Sequence, residues 1–198
     1  MLGVLRETQR AARQDLVTAV QQLVGQDDAP VVVEIFYDYM CPACGAMEKA
    51  NGAELDSLMQ DGTIRIAMRP ISFLDQQSQG TRYSTRAANA FATVVSDAPD
   101  NAWAFHMALY AAQPEEGSEG LSDDQIKDVA TGAGVSGEVA DRFTDMTYEQ
   151  WVASVTQDAF DGGIQGTPTV KIDGEVFQGD VYSTGPLTDA IESAAAGR

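Results

Sequence analysis

An α/β fold, with a mixed sheet interrupted by a large helical insertion, is what this sequence predicts. Three observations carry the prediction. A nearly continuous apolar run at residues 31–37 leads through Cys41-Pro42-Ala43-Cys44 into a helical pattern, and a second strand pattern follows at residues 63–69. From about residue 80 to residue 162 the apolar period is helical, interrupted by a Pro-, Glu- and Gly-rich loop from Gln113 to Gly120. Strand patterning then returns around an Asp173-Gly174 turn, ahead of one last helix. A βαβ unit at one end and a hairpin plus helix at the other can share one mixed sheet, which makes the middle block an insertion.

The elements follow in order. Residues 4–25 place Leu5, Leu16, Val20, Leu23 and Val24 near one stripe and read as an amphipathic helix, broken by Gln26-Asp27-Asp28-Ala29-Pro30. Pro42 suits the first turn of the next helix, where its missing N–H costs nothing, and that helix runs to about Gln60. Asp61-Gly62 turns the chain into the second strand, which Pro70 stops. In the middle block Ala87, Phe91, Val94 and Val95 form one stripe, and Trp103, Met107 and Tyr110 another. Ser122-Asp123-Asp124-Gln125 and Thr147-Tyr148-Glu149-Gln150 both fit a capping box at a helix start. Residues 167–172 and 175–178 are the two arms of the hairpin, and Gly185-Pro186 opens the final helix. The expected division is a leading helix or linker over 1–29, a first sheet half over 30–72, a helical insertion over 73–163 and a second sheet half over 164–198.

The chain has 198 residues, the size of one domain, and 44% hydrophobic residues, enough for a sizeable core. Its formal net charge is −18, so it repels phosphate backbones and anionic membrane surfaces. Nucleic acid is therefore not an expected partner. No apolar run approaches the ~20 residues of a membrane span, and no signal peptide is visible at the start.

There are only two cysteines, Cys41 and Cys44. A C-x-x-C where a strand ends and a helix begins reads as a redox dithiol. The first helical turn offers unpaired N–H groups and the positive end of the dipole, and both favour a thiolate. Cys41 is then the attacking thiol and Cys44, one turn further in, the resolving one. As a structural staple the pair is poor, since closing so short a loop is worth only about 1.9 kcal/mol. A structural zinc needs four ligands, and with one His and no third Cys the supply runs out. No metal and no organic cofactor are expected, although two thiols could hold a soft ion such as Cu(I) in a non-catalytic module.

The stretch Phe36-Tyr37-Asp38-Tyr39-Met40-Cys41-Pro42-Ala43-Cys44 resembles the active site of the DsbA-like branch of the thioredoxin superfamily, in its actinobacterial type. Gly166-Thr167-Pro168-Thr169-Val170 resembles the family's cis-proline loop, and the segments at 105–110 and 120–125 resemble its insertion. The resemblance covers about residues 30–197 and implies a thioredoxin-like mixed sheet with a large helical insertion. It implies catalytic roles for Cys41, Cys44 and Pro168, with a cis bond before Pro168. It makes Pro42, Ala43, Thr167 and Met40 motif and substrate-binding positions, with the Thr167 backbone pairing with substrate. Two departures stand out. Ala43 occupies the position where the best-known oxidases carry His, which leaves the helix N-terminus as the expected main stabiliser of the thiolate, with Asp38 and Glu48 opposing it if they are close. The buried acid of many relatives is replaced by Ile35, and Glu34 sits one position earlier, on the other face of a regular strand. Glu34 is either a proton acceptor reached through a bulge or a paired structural charge. Met40 is either an exposed peptide contact or filler. His106, Trp103, Trp151, Tyr37 and Tyr39 read as packing residues.

The function that the resemblance implies is a thiol–disulfide oxidoreductase that introduces disulfides into exported proteins, with reduced or unfolded proteins as substrates and a VKOR- or DsbB-like membrane protein as reoxidant. Such a domain works outside the cytoplasm, where disulfides persist, with an anchor and a targeting segment expected outside this sequence. A reductase or isomerase of the same fold is the competing reading.

Overall fold

The structure is a computed structural model and describes residues 23–198. Five strands form one mixed sheet: β1 (Leu23–Gly25), β2 (Val31–Tyr37), β3 (Ile64–Pro70), β4 (Thr169–Ile172) and β5 (Glu175–Val176), in the order β1-β3-β2-β4-β5. Among the described residues seven α-helices accompany it: α1 (Pro42–Gln60), α2 (Tyr83–Asp97), α3 (Ala102–Ala111), α4 (Asp123–Gly132), α5 (Gly137–Asp141), α6 (Glu149–Asp161) and α7 (Pro186–Ala196). Helices α2 to α6 all fall between β3 and β4.

β2 is the central strand because it can be buried on both faces. It runs parallel to β3, with Val31 opposite Ile64 and Tyr37 opposite Pro70, and antiparallel to β4, with Val33 opposite Ile172 and Phe36 opposite Thr169. Val31, Val33, Ile35 and Tyr37 point into the main core, where they meet Cys44, Met47 and Leu55 of α1 and Leu187 and Ile191 of α7. Phe36 points the other way, onto Ile71, Ala159 and Ile164. The apolar run of β2 thus feeds two cores.

The insertion is organised by α2. Twelve of its residues, from Tyr83 to Val95, are buried, so it is an internal helix rather than an amphipathic one on a surface. The Ser122 capping box forms at α4: the Gln125 N–H donates to Ser122 Oγ at 3.2 Å, and the Ser122 N–H donates to Gln125 Oε1 at 2.8 Å.

Three expectations are corrected. The leading helix lies outside the described residues as far as residue 22, and its last three residues are strand β1. Leu23 and Val24 pair antiparallel with Ala67 and Ile66, which covers the free edge of β3. The second capping box does not form: α6 is capped by Tyr148, with no side-chain cap of its own, and the Tyr148 N–H donates to the buried Asn89 Oδ1 at 2.9 Å. A tertiary acceptor has replaced the local one. Finally, β5 ends at Val176, short of Gln178.

Phe91 is 1% exposed, in the middle of α2. Phe91→Ala is expected to lower the unfolding free energy by about 3–5 kcal/mol, read from urea denaturation followed by circular dichroism.

Candidate active site

β2 ends at Tyr37, and a tight turn delivers the dithiol. The Cys41 N–H donates to Asp38 O at 3.0 Å, and the Met40 N–H donates to Asp38 Oδ1 at 2.8 Å. Cys41 is the N-cap of α1, with φ −71° and ψ 115°, and Pro42 follows in the first turn. Its carbonyl accepts from the N–H groups of Cys44 at 3.0 Å and Gly45 at 3.2 Å. Both cysteines are free thiols. Cys41 retains 8% exposure and Cys44 none. The Thr167–Pro168 bond is cis, and Cys41 Sγ lies 3.5 Å from Thr167 O, within reach of a hydrogen bond when the thiol is protonated. The folded chain therefore brings Cys41, Cys44, Thr167 and Pro168 together across the full width of the insertion.

The two thiols are electrostatically unlike. A hydrogen bond from Cys44 is the largest influence on Cys41 and lowers it to about 6 from 9.0; burial opposes this, while the Thr167 side chain and the N–H groups of Cys44 and Ala43 add to the lowering. Burial pushes Cys44 well above 9.0, and the neighbouring Cys41 pushes it further. At neutral pH Cys41 is a thiolate and Cys44 a thiol. The expected chief stabiliser, the helix N-terminus, is present but ranks below the Cys44 hydrogen bond. No acidic residue occupies the first turn of α1 to weaken it.

Met40 is fully buried and packs in the main core, so it is filler and makes no substrate contact. Pro42 is exposed and Ala43 half-buried, which leaves one flank of the dithiol open. Glu34 is not part of this site. The β2–β3 ladder runs without a bulge, so Glu34 stays on the other face of β2, paired with Arg69 at 2.9 Å and Lys171 at 3.9 Å. That removes it as a proton acceptor for the dithiol.

The acids that do lie beneath the site are Asp38 and Glu48, both buried. Glu48 Oε2 is 3.1 Å from His106 Nε2, His106 Nδ1 is 3.1 Å from the Tyr39 hydroxyl, and that hydroxyl is 3.4 Å from the Tyr37 hydroxyl. Trp103 stacks on His106 with ring centres 5.2 Å apart. His106 is thus a packed residue that also links two polar groups. Burial raises Tyr37, Tyr39 and Tyr110 well above 10.0, so all three stay neutral and hydrogen-bonding.

The sequence reading missed Gln113. Its Nε2 donates to Tyr39 O at 3.0 Å and to Cys41 O at 2.9 Å, which ties the dithiol loop to the segment after α3. Its signal was present in the helical glycines. A Cβ on Gly45 would lie 2.1 Å from Gln113 Oε1, and one on Gly52 would lie 2.5 Å from Glu48 Oε1. Glycine inside a helix costs up to about 1 kcal/mol relative to alanine, so two on one face of α1 mark places where something else needs the room. Between α1 and α3 this leaves a groove of about 560 Å³, bordered by Pro42, Ala46, Lys49, Met107 and Tyr110. A smaller cavity of about 240 Å³ lies on the far side of the sheet, between Phe36, Arg69, Trp151 and Lys171, away from the thiols. Among the described residues, no group of three or more His, Cys, Asp or Glu side chains is arranged to hold a metal.

A family model described as Thioredoxin matches residues 18–191. Disulfide bond formation protein D of Bacillus subtilis is 29% identical over 162 residues, covering 80% of this chain and 70% of that protein. The structure of DsbA from Mycobacterium tuberculosis in its reduced form superposes with a TM-score of 0.67 at 27% identity, covering 88% of this chain and 94% of that one. The serine/threonine-protein kinase PknE of Mycobacterium tuberculosis is 32% identical over 96 residues, which cover 47% of this chain but only 17% of the kinase.

The rate of alkylation of reduced protein by iodoacetamide is expected to follow the Cys41 thiolate, with a midpoint near pH 6, and Cys44→Ala is expected to move that midpoint upward. The folded value of Cys41 lies below its ordinary 9.0. The thiolate therefore stabilises the reduced fold fully above about pH 9, and that contribution is lost as the pH falls through about 6. Urea titrations of the reduced protein across this window check the sign.

Proposed function

From a chain that belongs to the Thioredoxin family and carries so unequal a dithiol, we propose a thiol–disulfide oxidoreductase of the DsbA-like kind, which introduces disulfides into exported proteins. The observation that carries this reading is the split between the thiols: a Cys41 that keeps 8% exposure and is lowered to about 6, and a fully buried Cys44 raised above 9.0. A sulfur that is comfortable as a thiolate is a good leaving group, and a disulfide built on it is readily given away.

The steps follow from the geometry. A client thiolate attacks Cys41 Sγ of the oxidised enzyme, the Cys41–Cys44 bond breaks, and Cys44 leaves and takes up a proton. The client's second thiolate then attacks the client sulfur of the mixed disulfide. The client leaves oxidised, and Cys41 remains as a thiolate. The backbone of Thr167, beside Cys41 Sγ, is positioned to pair with an extended client segment. Phe73 and Phe160 stack on each other at the surface and offer clients an apolar contact. Pro42 and Ala43 leave the approach open, and the helices between β3 and β4, within the insertion of residues 73–163, wall the other side.

Each turnover leaves a dithiol, so a partner must withdraw two electrons, and a VKOR- or DsbB-like membrane protein suits that step. The place of work is the cell envelope, with an anchor outside this chain. A non-catalytic soft-metal module is less well supported, because a thiol pair is only two ligands.

Cys41 is lowered to about 6, on the thiolate side of neutral, and the potential of the couple discriminates the oxidase from the reductase reading. The Cys41–Cys44 couple is expected to have a potential between about −270 and about −120 mV in glutathione buffers. A value at the lower end would replace this reading with the reductase or isomerase one. Cys44→Ser should trap mixed disulfides with clients on gels run without reductant, and an absence of adducts would sink exchange chemistry. Ala43→His should raise the potential by placing a donor beside Cys41.

A further inference from the structure

Asp38 is the one carboxylate built into the loop that carries Cys41. It is fully buried, and three donors converge on it: the Met40 N–H at 2.8 Å and Ser84 Oγ at 2.7 Å on Oδ1, and the Leu74 N–H at 2.8 Å on Oδ2. Among the described residues no cation forms an ion pair with it. The groups around it are therefore informative. On its own turn Cys41 is the group that changes charge, and its N–H closes the turn on Asp38 O at 3.0 Å. On α2 it faces Ser84 and Tyr83, with Arg86 over the Tyr83 ring at 5.8 Å and committed to Asp123. On α3 the Tyr110 hydroxyl donates to Asp38 O at 3.2 Å. Before α2, Asp75 accepts from the N–H and hydroxyl of Thr85.

Two of the three donors are backbone N–H groups, which can only donate. Ser84 is different, because a hydroxyl can also accept. A proton on Asp38 Oδ1 can therefore be received by Ser84 Oγ without breaking either N–H bond. The three donors favour the carboxylate and burial favours the neutral acid, so a change of charge on Cys41 can tip the balance between them.

We propose that Asp38 is a positioning residue that exchanges a proton in step with the redox state of the dithiol, with the Ser84 hydroxyl reversing its hydrogen bond to suit. In the oxidised enzyme Cys41 is neutral and Asp38 is the carboxylate. When a client's two thiolates deliver two electrons, the Cys41–Cys44 bond breaks, Cys44 takes one proton, and Cys41 keeps the negative charge. That charge raises the proton affinity of Asp38, which takes a proton from solvent. Reoxidation withdraws the two electrons, re-forms the S–S bond and returns both protons. Asp38 is already raised to about 6 from 3.8, chiefly by burial and further by Cys41, which places it where such exchange is felt near neutral pH. The coupling is mutual: the charge of Asp38 hinders the Cys41 thiolate as much as the thiolate hinders Asp38. Asp38 thereby restrains the oxidising strength of the pair.

Carboxyl-carbon NMR of the whole protein, titrated with pH in the oxidised and the fully reduced state, tests this. The proton affinity of Asp38 should be roughly tenfold higher in the reduced state, as a charge of like sign within one turn requires. Equal midpoints in the two states would overturn the proposal. Asp38→Asn should lower the Cys41 midpoint, narrow its titration to a single step and leave several-fold more enzyme reduced at a fixed glutathione ratio. A residue that merely clamps the loop would lower the stability of both redox states alike and leave the Cys41 midpoint where it was. The NMR comparison uses wild-type protein and stands even if the variant does not fold. Failure of the dithiol to cycle with glutathione at all would instead refute the oxidoreductase reading.

Discussion

Everything at this site depends on how a negative sulfur is tolerated at the start of α1. Cys41 sits where the helix leaves N–H groups unpaired, and where Cys44, one turn along, can donate to it. Neither influence would suffice in a loop free to move, because both fall off steeply with distance and angle. The remainder of the local structure holds the loop still. Asp38 closes the turn from below, Gln113 grips the carbonyls of Tyr39 and Cys41, and Tyr110 reaches the Asp38 carbonyl.

The same arrangement explains why so many polar groups are buried here. Asp38, Glu48, Ser84 and His106 are all withdrawn from water, and uncompensated burial of each would cost several kcal/mol. Each has hydrogen-bond partners, and the partners come from different segments: the loop after β2, the segment before α2, and α1, α2 and α3. A set of bonds this spread out is directional in a way that apolar packing is not, so it fixes how α1 meets α2 and α3. Gly45 and Gly52 are the helical counterpart of that requirement, giving up side chains where Gln113 and Glu48 need the volume.

Much of this was legible in the sequence, for reasons that can be stated residue by residue. The strand, the C-x-x-C and the following helix are adjacent in the chain, so local pattern and turn chemistry reveal them. The Asp173-Gly174 hairpin and the Ser122 capping box are likewise local. Thr167 and Pro168 were legible only through resemblance, because nothing local says that they will face Cys41. What pattern could not reveal was decided at long range. The Thr147 box lost to Asn89, on another helix. Val24 reads as helical by period, but the bare edge of β3 claims it as a strand. Met40 looks free beside the dithiol, yet the turn folds it inward. Glu34 is a carboxylate at nearly the right place, and a strand's strict alternation of faces hands it to Arg69 instead.

The residues that grip the dithiol loop, Leu74, Ser84, Tyr110 and Gln113, all belong to the stretch between β3 and β4, while the sulfurs themselves belong to the stretch before it. Reactivity and its adjustment are therefore carried by separate segments of one chain. Substitutions in the helical segment can retune the chemistry without touching the C-x-x-C, so lineages that keep the motif unchanged are free to drift apart in redox strength. Two such chains with identical active-site tetrapeptides need not be interchangeable in a cell.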